Sequence, residues 1–120
     1  MPVVAEETTG RLLAERAASI LLQDIVHPPT LEALSSQVGL TSFQLSRLFG
    51  AVMGRTIPGL LRQQRMERAA SLLLESKSSV GEIASTVGYH SMSAFCRGFE
   101  REMNMTPSEY RQNNRKVTEN

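Results

Sequence analysis

The 120-residue chain has little of what marks several large classes of protein. Its single cysteine, Cys96, excludes an internal disulfide and fits the reducing cytoplasm. No apolar run approaches the roughly 20 residues that a membrane-spanning helix needs, and the first residues lack the basic start and apolar block of a signal peptide. The formal net charge is only +1, so bulk charge does not identify a nucleic-acid partner. We therefore expect a soluble cytoplasmic protein with no membrane partner.

The chain also lacks the alternation of β-strands, and apolar residues instead recur every three or four positions. This period predicts an all-α fold of seven helices, over residues 11–25, 31–38, 43–53, 57–76, 80–87, 92–103 and 107–113. Polar residues that can cap helix N-termini precede most of them, namely Thr30, Thr41 or Ser42, Ser79, Ser91 and Thr106. We expect residues 1–10 to form a disordered leader or linker remnant and residues 115–120 a flexible tail.

Two stretches of the chain are related by an internal repeat. A shift of 49 residues places Leu34, Val38 and Gly39 on Ile83, Val87 and Gly88. After one extra residue in the turn, a shift of 50 places Leu45, Arg47, Phe49, Met53 and Thr56 on Phe95, Arg97, Phe99, Met103 and Thr106. A helix, a glycine turn, a polar cap and a second amphipathic helix are typical of the helix-turn-helix motif. The repeat predicts two such subdomains, residues 11–55 and 78–114, joined by a long linker helix over residues 56–77.

The second helix of each repeat has an apolar face and an opposite face that is predicted to point outward. The predicted core residues are Leu45, Leu48, Phe49, Val52, Phe95, Phe99 and Met103. The predicted outward residues are Phe43, Ser46, Arg47, Gly50, Met92, Ser93, Cys96, Arg97 and Glu100. Arg47 and Arg97 occupy the same place in their repeats, and a planar guanidinium matches the two acceptors on the groove edge of guanine. A solvated surface arginine is the alternative interpretation of each.

Several motifs at these spacings resemble the DNA-binding domain of the AraC/XylS family of bacterial transcription regulators. They are Arg68-Ala69 and Leu72-Leu73-Leu74 in the long helix, Ile83-Ala84 with Val87-Gly88-Tyr89, Phe95-x-Arg97-x-Phe99, and Thr106-Pro107-Ser108-Glu109-Tyr110-Arg111. The resemblance runs from about residue 12 to residue 111. It implies two helix-turn-helix subdomains bridged by a long helix, with their recognition helices in adjacent major grooves of double-stranded promoter DNA.

The resemblance also implies which residues meet DNA. Base contacts are expected from Phe43, Ser46, Arg47, Met92, Ser93 and Arg97. The resemblance also places Thr41 and Ser91 near phosphates. Independently of it, Ser42, Arg55, His90 and Arg101 are expected to contact the DNA backbone, and Arg111 is a further candidate. Thr41 and Ser91 precede helix N-termini, where exposed amides favour phosphate, whereas plain solvation is the alternative for the arginines. RNA polymerase is an expected partner, and a missing effector-sensing or dimerisation domain would make this chain a fragment, which we favour over a stand-alone protein.

Some positions depart from the family's pattern. Glycine and alanine stand at positions 50 and 51 where lysines are common, Glu100 lies in the second recognition helix, and Asn104 replaces a typical glycine. Gly98 lies inside that helix at a cost of roughly 1 kcal/mol relative to alanine. We therefore expect few phosphate contacts, a shallow salt dependence and a second half-site that Met92 and Ser93 read loosely.

The remaining reactive residues do not point to catalysis. His27 and His90 have too few acidic or thiol neighbours to suggest a metal site, and no nucleophile–base pair or phosphate loop is visible. A redox role for Cys96 beside Arg97 is the alternative to a small residue that fits against DNA, which we favour. We predict a DNA-binding domain with no metal, cofactor or enzymatic activity. The rival prediction is a helical protein-interaction module that has kept the fold but does not read DNA.

Overall fold

The computed structural model describes the backbone of residues 2–119 and the side chains of residues 8–114. Within this range the chain forms seven helices and no strand, which confirms the predicted all-α fold. The helices are α1 (Pro2–Leu21), α2 (Leu31–Gln37), α3 (Ser42–Met53), α4 (Ile57–Glu75), α5 (Val80–Thr86), α6 (Met92–Met103) and α7 (Pro107–Glu119). The ends of α2 to α6 lie within one residue of their predicted positions.

The first helix begins earlier than predicted. Residues 2–10 are helical in the structure, although we expected a disordered leader. Pro2 stands at the first helical position, where its missing N–H leaves no helical hydrogen bond unmade. Gly10 lies inside the helix, and a Cβ built there would be 3.0 Å from Cδ1 of Leu48 on α3. The glycine therefore permits a close approach of α1 and α3 at this point.

The first helix also ends earlier than predicted, at Leu21 rather than at residue 25. The Asp24 carboxylate accepts hydrogen bonds from the backbone N–H groups of Val26 and His27, at 3.0 and 3.1 Å. Such local turns compete with helical hydrogen bonding, which explains why the helical pattern did not continue. The bonds from His27 and Val26 also hold the pKa of Asp24 below its usual value of 3.8.

The last helix runs to Glu119 instead of ending near residue 113, so the predicted tail is helical over residues 115–119, and residue 120 lies outside the described residues. The predicted capping box at its start is present. Thr106 Oγ1 accepts the Glu109 N–H at 3.1 Å, and the Thr106 N–H donates to Glu109 Oε1 at 2.9 Å. These bonds from Thr106 hold the pKa of Glu109 below its usual value of 4.5.

The chain divides into two compact units at Leu61 and Arg62, within α4. The predicted linker over residues 56–77 is therefore shared between them. The buried apolar residues of the first unit are Ala17, Ala18, Leu21, Leu34, Val38, Leu45 and Phe49, with Ile57, Leu60 and Leu61 of α4 packed against them. Those of the second unit are Met66, Ala69, Ala70, Leu73, Ile83, Ala84, Val87, Phe95 and Phe99.

The repeat extends further than the sequence analysis found, because α1 corresponds to the second part of α4. The buried residues of α1 are Ala14, Ala17, Ala18 and Leu21, and those of α4 are Met66, Ala69, Ala70 and Leu73. The two sets have identical spacing, offset by 52 residues. Each unit therefore contains one long supporting helix, one short helix and one helix of 12 residues, and the second unit also contains α7. Three of the four pairs have the same residue in both helices, and only the pair Ala14 and Met66 differs in side-chain volume.

Arg111, a candidate phosphate contact in the sequence, is half-buried in the structure and donates hydrogen bonds to backbone carbonyls of the same unit. Its Nε donates to the Leu73 carbonyl at 2.9 Å, and its Nη2 donates to the Ser76 carbonyl at 3.3 Å. These carbonyls lie at the C-terminal end of α4, where backbone C=O groups have no hydrogen-bond donor within the helix and carry partial negative charge. The half-buried guanidinium therefore closes the end of α4 and ties α7 to it.

We expect Arg111→Met to lower the free energy of unfolding of the second unit by about 1–3 kcal/mol, since two charge-assisted hydrogen bonds are lost. Both tyrosines of the chain, Tyr89 and Tyr110, lie in this unit, so tyrosine fluorescence during urea unfolding reports on it selectively. Arg111→Lys is the matched control, because it keeps a positive charge at the helix end and should lose less. An unchanged unfolding midpoint for Arg111→Met would contradict the assignment.

Candidate nucleic-acid interface

The turn between α2 and α3 is built by a glycine and a threonine. Gly39 has a φ of 74°, a left-handed conformation that glycine adopts without strain. The Leu40 N–H then reaches back to the Ser35 carbonyl at 3.0 Å, the bond that closes a Schellman helix end. Thr41 begins α3 with a full capping box, in which its Oγ1 accepts the Gln44 N–H and its own N–H donates to Gln44 Oε1. The choice between Thr41 and Ser42 as cap is thereby settled for Thr41.

The turn between α5 and α6 repeats this construction in the second unit. Gly88 has a φ of 100°, and the Tyr89 N–H donates to the Ala84 carbonyl at 2.9 Å. Ser91 caps α6 by accepting the Ala94 N–H at 3.2 Å. The side chain of Ala94 cannot accept a hydrogen bond from the Ser91 N–H, as a glutamate or glutamine would in a capping box. The cap of α6 is therefore simpler than that of α3. The position of the exposed N-terminal amides is nevertheless the same in both units.

The C-terminal ends of α3 and α6 also match. Gly54 closes α3 with φ 70° and ψ 10°, and Asn104 closes α6 with φ 60° and ψ 22°. The departure from glycine noted in the sequence therefore does not change the local structure, because asparagine is among the few other residues that adopt this conformation. Both recognition helices are 12 residues long and are delimited by equivalent caps.

The outward face of α3 contains an aromatic–cation pair. Phe43 is 69% exposed, and the Arg47 Cζ atom lies 5.6 Å from the centre of its ring. The residues are four apart, so their side chains lie one above the other on the helix. Ser46 and Gly50 are also exposed on this helix. Stacking on the ring limits the orientations of the guanidinium. The pair was not predicted from the sequence, although the four-residue spacing of Phe43 and Arg47 could have indicated it.

The outward face of α6 differs at the corresponding positions. Met92 is 51% exposed, and Ser93 and Arg97 are also exposed. Ser93 corresponds to Phe43 in the repeat, so Arg97 has no aromatic partner at that position. Cys96 was predicted to point outward, but it is half-buried against the core of the second unit. Val52 of α3 differs in the opposite direction, because it was predicted to lie in the core and is 37% exposed.

The buried side of α6 explains why Gly98 lies inside a helix. A Cβ built on Gly98 would be 2.7 Å from Met66 Cε and 3.2 Å from the Tyr89 hydroxyl oxygen. A larger residue at this position would require the buried end of the Met66 side chain to shift. Tyr89 packs edge-on against Phe95 at 5.6 Å between ring centres, and burial raises its pKa above the usual value of 10.0. Gly98 thus lowers the helix propensity of α6, but its small size leaves room for the buried side chains that pack against this helix.

The residues predicted to contact the DNA backbone surround the N- and C-terminal ends of the recognition helices. Thr41, His90, Ser91 and Arg101 are exposed, and Ser42 and Arg55 are half-buried. Arg101 lies in the last turn of α6, where the helix dipole favours a positive charge. Each unit contributes a capping hydroxyl and one of the two arginines to this set, so the predicted contacts are distributed evenly between the units.

The charges of the two recognition helices are not alike. Arg47 is the sole charged residue of α3. In α6, Arg97 and Arg101 are accompanied by Glu100 and Glu102. The Arg62 Nε donates to Glu102 Oε1 at 3.3 Å, which pairs that carboxylate with α4, whereas Glu100 is exposed. The surface of α6 is thus less favourable to an anion than two arginines alone would make it.

Metal-binding clusters and membrane-spanning helices are not found among the described residues. Among the side chains of residues 8–114, no three His, Cys, Asp or Glu residues come close enough together to hold a metal ion. The helices in the described part of the chain are all too short or too polar to cross a membrane. In the same region, every buried side-chain nitrogen or oxygen atom has a hydrogen-bond partner.

Comparison with known sequences gives a consistent family. A family model described as a helix-turn-helix domain matches residues 34–113. The chain is 33% identical over 89 residues to the regulatory protein SoxS of Salmonella typhimurium, covering 74% of this chain and 83% of that protein. It is 34% identical over 85 residues to the HTH-type transcriptional regulator AlkR of Acinetobacter baylyi, covering 71% of this chain. In that case the match spans only 28% of the relative's length.

Solved structures agree with the fold. The chain is similar to a transcriptional regulator with an AraC-type DNA-binding domain from Chromobacterium violaceum, with a TM-score of 0.77, 27% identity, and coverage of 83% of this chain and 89% of that one. It is equally similar to the DNA-binding domain of AdpA in complex with a target DNA, with a TM-score of 0.76, 28% identity, and coverage of 88% and 94%. The chain therefore belongs to the AraC/XylS family of helix-turn-helix transcriptional regulators.

Proposed function

We propose that this chain is a sequence-specific double-stranded DNA-binding domain that regulates transcription. The observation that carries the proposal is the equivalent placement of Arg47 and Arg97, each exposed on a recognition helix that follows the same glycine turn and hydroxyl cap. The DNA complex of the similar AdpA domain supports it. The two recognition helices, α3 and α6, enter adjacent major grooves, so the binding site has two halves about one helical turn apart.

The proposed base contacts are made from the exposed faces of the two helices. Arg47 and Arg97 each donate two hydrogen bonds to a guanine, and Phe43 contacts a thymine methyl group. Ser46, Met92 and Ser93 complete the base contacts with weaker selectivity. Because two of these three lie on α6, we expect the second half-site to be defined less sharply than the first.

The proposed backbone contacts orient the domain on the duplex without selecting sequence. Thr41 and Ser91 accept a helix amide through oxygen and can still donate their hydroxyl protons to phosphate. The Ser42 side chain and the first exposed amides of α3 and α6 lie nearby, where the positive ends of the helix dipoles attract an anion. Arg55, His90 and Arg101 are the remaining proposed contacts.

A base-by-base selection of bound DNA tests this proposal. The purified chain is incubated with a random duplex library at low salt, and the bound fraction is sequenced. We expect a bipartite site with a guanine in each half and the halves about one helical turn apart. The absence of enrichment for any sequence, at any salt concentration tested, would reject sequence-specific binding.

The second candidate function is a protein-interaction module. It is favoured by the exposed apolar side chains of Phe43 and Met92 and by Glu100 on the recognition surface. Salt dependence distinguishes the two. For DNA, log Kobs should fall with log salt by about 0.9 per neutralised phosphate, giving a slope of about −2 for Arg55 and Arg101, the two arginines proposed to contact phosphate. Binding to a protein through neutral contacts would show little dependence on salt.

The wider role of the protein is also part of the proposal. Because the match spans 28% of AlkR but 83% of SoxS, relatives with and without long additional segments exist. We propose that an effector-sensing or dimerisation domain completes the regulator, that RNA polymerase is a partner, and that the protein acts at the nucleoid in the cytoplasm without catalysing a reaction. A dimerising domain would add avidity to the modest affinity expected of this chain.

A further inference from the structure

The first unit contains a cavity that the DNA-binding proposal does not use. Its volume is about 520 Å³, and it lies between the end of α1, the following turn, the start of α2 and the start of α4. Leu21 and Leu34 form its buried walls, and Ser46 lines it from α3. The cavity opens to solvent at exposed lining residues such as Leu31 and Pro58. Pockets that hold small molecules have volumes of roughly 300–1,000 Å³ and mostly apolar linings, so both size and composition fit a small ligand.

The walls of the cavity are stiff. Pro28 and Pro29 line it from the turn before α2, and Pro58 lines it from the first turn of α4. Each proline has a fixed φ and no N–H, so these segments have few alternative conformations and present no unsatisfied donor to an apolar ligand. The cavity is therefore largely formed before a ligand arrives, which lowers the entropic cost of binding.

The chemistry of the lining limits what can bind. No titratable side chain lines the cavity, so a charged ligand would lose hydration without gaining a counterion. The polar side chains are Ser46 and Thr56. Thr56 Oγ1 already accepts the Gly59 N–H at 3.0 Å, and its hydroxyl proton can still be donated. We propose that this cavity binds a neutral, mainly apolar small molecule that carries a hydrogen-bond acceptor.

Ser46 connects the cavity to the recognition surface. It is exposed on the outward face of α3, next to Arg47 in the chain, and it also lines the cavity. A ligand that accepts the Ser46 hydroxyl proton competes with the base contact proposed for the same group. Ligand and DNA therefore weaken each other, by the same factor in both directions. This coupling rests on the proposed DNA binding, whereas the binding of the ligand itself does not.

The cavity is tested with the neutral fluorescent probe N-phenyl-1-naphthylamine. We expect saturable binding to the wild-type chain, and binding at least tenfold weaker to Leu31→Trp. Leu31 is 37% exposed in the lining, so a larger side chain can fill the opening without entering the core. Leu12→Trp is the matched control, because Leu12 is 60% exposed on α1 and does not line the cavity. Circular dichroism verifies that both variants fold.

Two results would overturn the assignment of the cavity. One is the absence of saturable probe binding to the wild type, and the other is equal affinity of the wild type and Leu31→Trp. The ligand class is tested by nuclear magnetic resonance titration with methyl 1-naphthoate and 1-naphthoate, a neutral and a charged molecule of similar shape. We expect the neutral ester to bind at least tenfold more tightly and to shift residues of the cavity. Equal or tighter binding of the anion would reject the class.

The coupling is tested with the duplex obtained by selection. At saturating methyl 1-naphthoate, whose ester carbonyl can accept the Ser46 hydroxyl proton, we expect the Kd for DNA to rise more than twofold, and saturating DNA should raise the Kd for the ester by the same factor. Binding of the ester that leaves DNA affinity within twofold would overturn the coupling and leave the cavity assignment in place. Failure of the chain to bind any DNA would count against the proposed function and not against the cavity.

Discussion

Replacing Arg47 by alanine is expected to weaken binding to the selected duplex about 10- to 100-fold, because one bidentate contact to guanine contributes roughly 1–3 kcal/mol of discrimination. The loss should be confined to the first half-site: base preference at its guanine disappears while the second half-site is read as before. Arg97→Ala should have the converse effect. Fluorescence anisotropy with duplexes that are mutated at one half-site at a time measures both.

Two controls separate base recognition from charge. Arg47→Lys keeps the positive charge but cannot form the planar two-bond contact, so we expect most of the base preference to be lost while the salt dependence changes little. Arg16→Ala removes an exposed arginine that belongs to α1 and to neither recognition helix, and it should have little effect. A loss for Arg47→Ala that is equal across all duplex sequences would identify Arg47 as a phosphate contact instead.

The repeat provides an internal comparison for the aromatic pair. Arg47 stacks on Phe43, whereas Arg97 has Ser93 at the corresponding position. A guanidinium that is already oriented loses less conformational freedom on binding, so Arg47→Ala should cost more than Arg97→Ala. Phe43→Ser, which gives α3 the residue of α6, should reduce that difference. Equal losses for the two alanine variants would show that the stacking contributes nothing to recognition.

Local features of this fold could be predicted from the sequence because they depend on residues close together in the chain. The capping box of Ser79 and Glu82 is an example: the hydroxyl accepts the Glu82 N–H at 3.1 Å, and the carboxylate accepts the Ser79 N–H at 3.1 Å. The left-handed turns at Gly39 and Gly88 are another. In each case the interacting groups lie within five residues, so the pattern alone specifies the geometry.

Features that depend on distant residues were missed. Arg111 reaches carbonyls of α4 that lie 38 and 35 residues earlier, and no local pattern distinguishes it from a solvated arginine. The cavity of the first unit needs four separate segments to come together, from α1, the turn with α2, α3 and α4. The early end of α1 has a different cause, since a single carboxylate at Asp24 outweighs the apolar periodicity that continues to Ile25.

The site itself was predicted unevenly. The exposed positions of Arg47 and Arg97 follow from helical periodicity, and their equivalence follows from the repeat. The half-burial of Cys96 does not follow from helical periodicity, because it depends on how deeply α6 lies against α4. That depth is set by Gly98, whose small size was visible in the sequence but whose neighbours were not.

Met66→Ala is expected to lower the free energy of unfolding of the second unit by about 2–5 kcal/mol, since Met66 is fully buried and its removal leaves a cavity. Gly98→Ala should behave differently in the two backgrounds. In the wild type its new methyl group would lie 2.7 Å from Met66 Cε, so overpacking of about 1–3 kcal/mol offsets or exceeds the gain of about 1 kcal/mol in helix propensity.

In the Met66→Ala background the closest contact is removed and only the Tyr89 hydroxyl, at 3.2 Å, remains within 3.4 Å of the new methyl group, so Gly98→Ala should be less destabilising there than in the wild type. The double-mutant cycle therefore predicts a coupling of about 1–3 kcal/mol, measured by tyrosine fluorescence during urea unfolding. Gly81→Ala is the control, because a Cβ there meets nothing closer than 4.0 Å and its effect should be the same in both backgrounds. If Gly98→Ala proved additive with Met66→Ala to within about 0.5 kcal/mol, the two side chains would not compete for the same space. A coupling of the predicted sign would mean that the volume of a buried residue in α4 determines how closely the second recognition helix can approach its support.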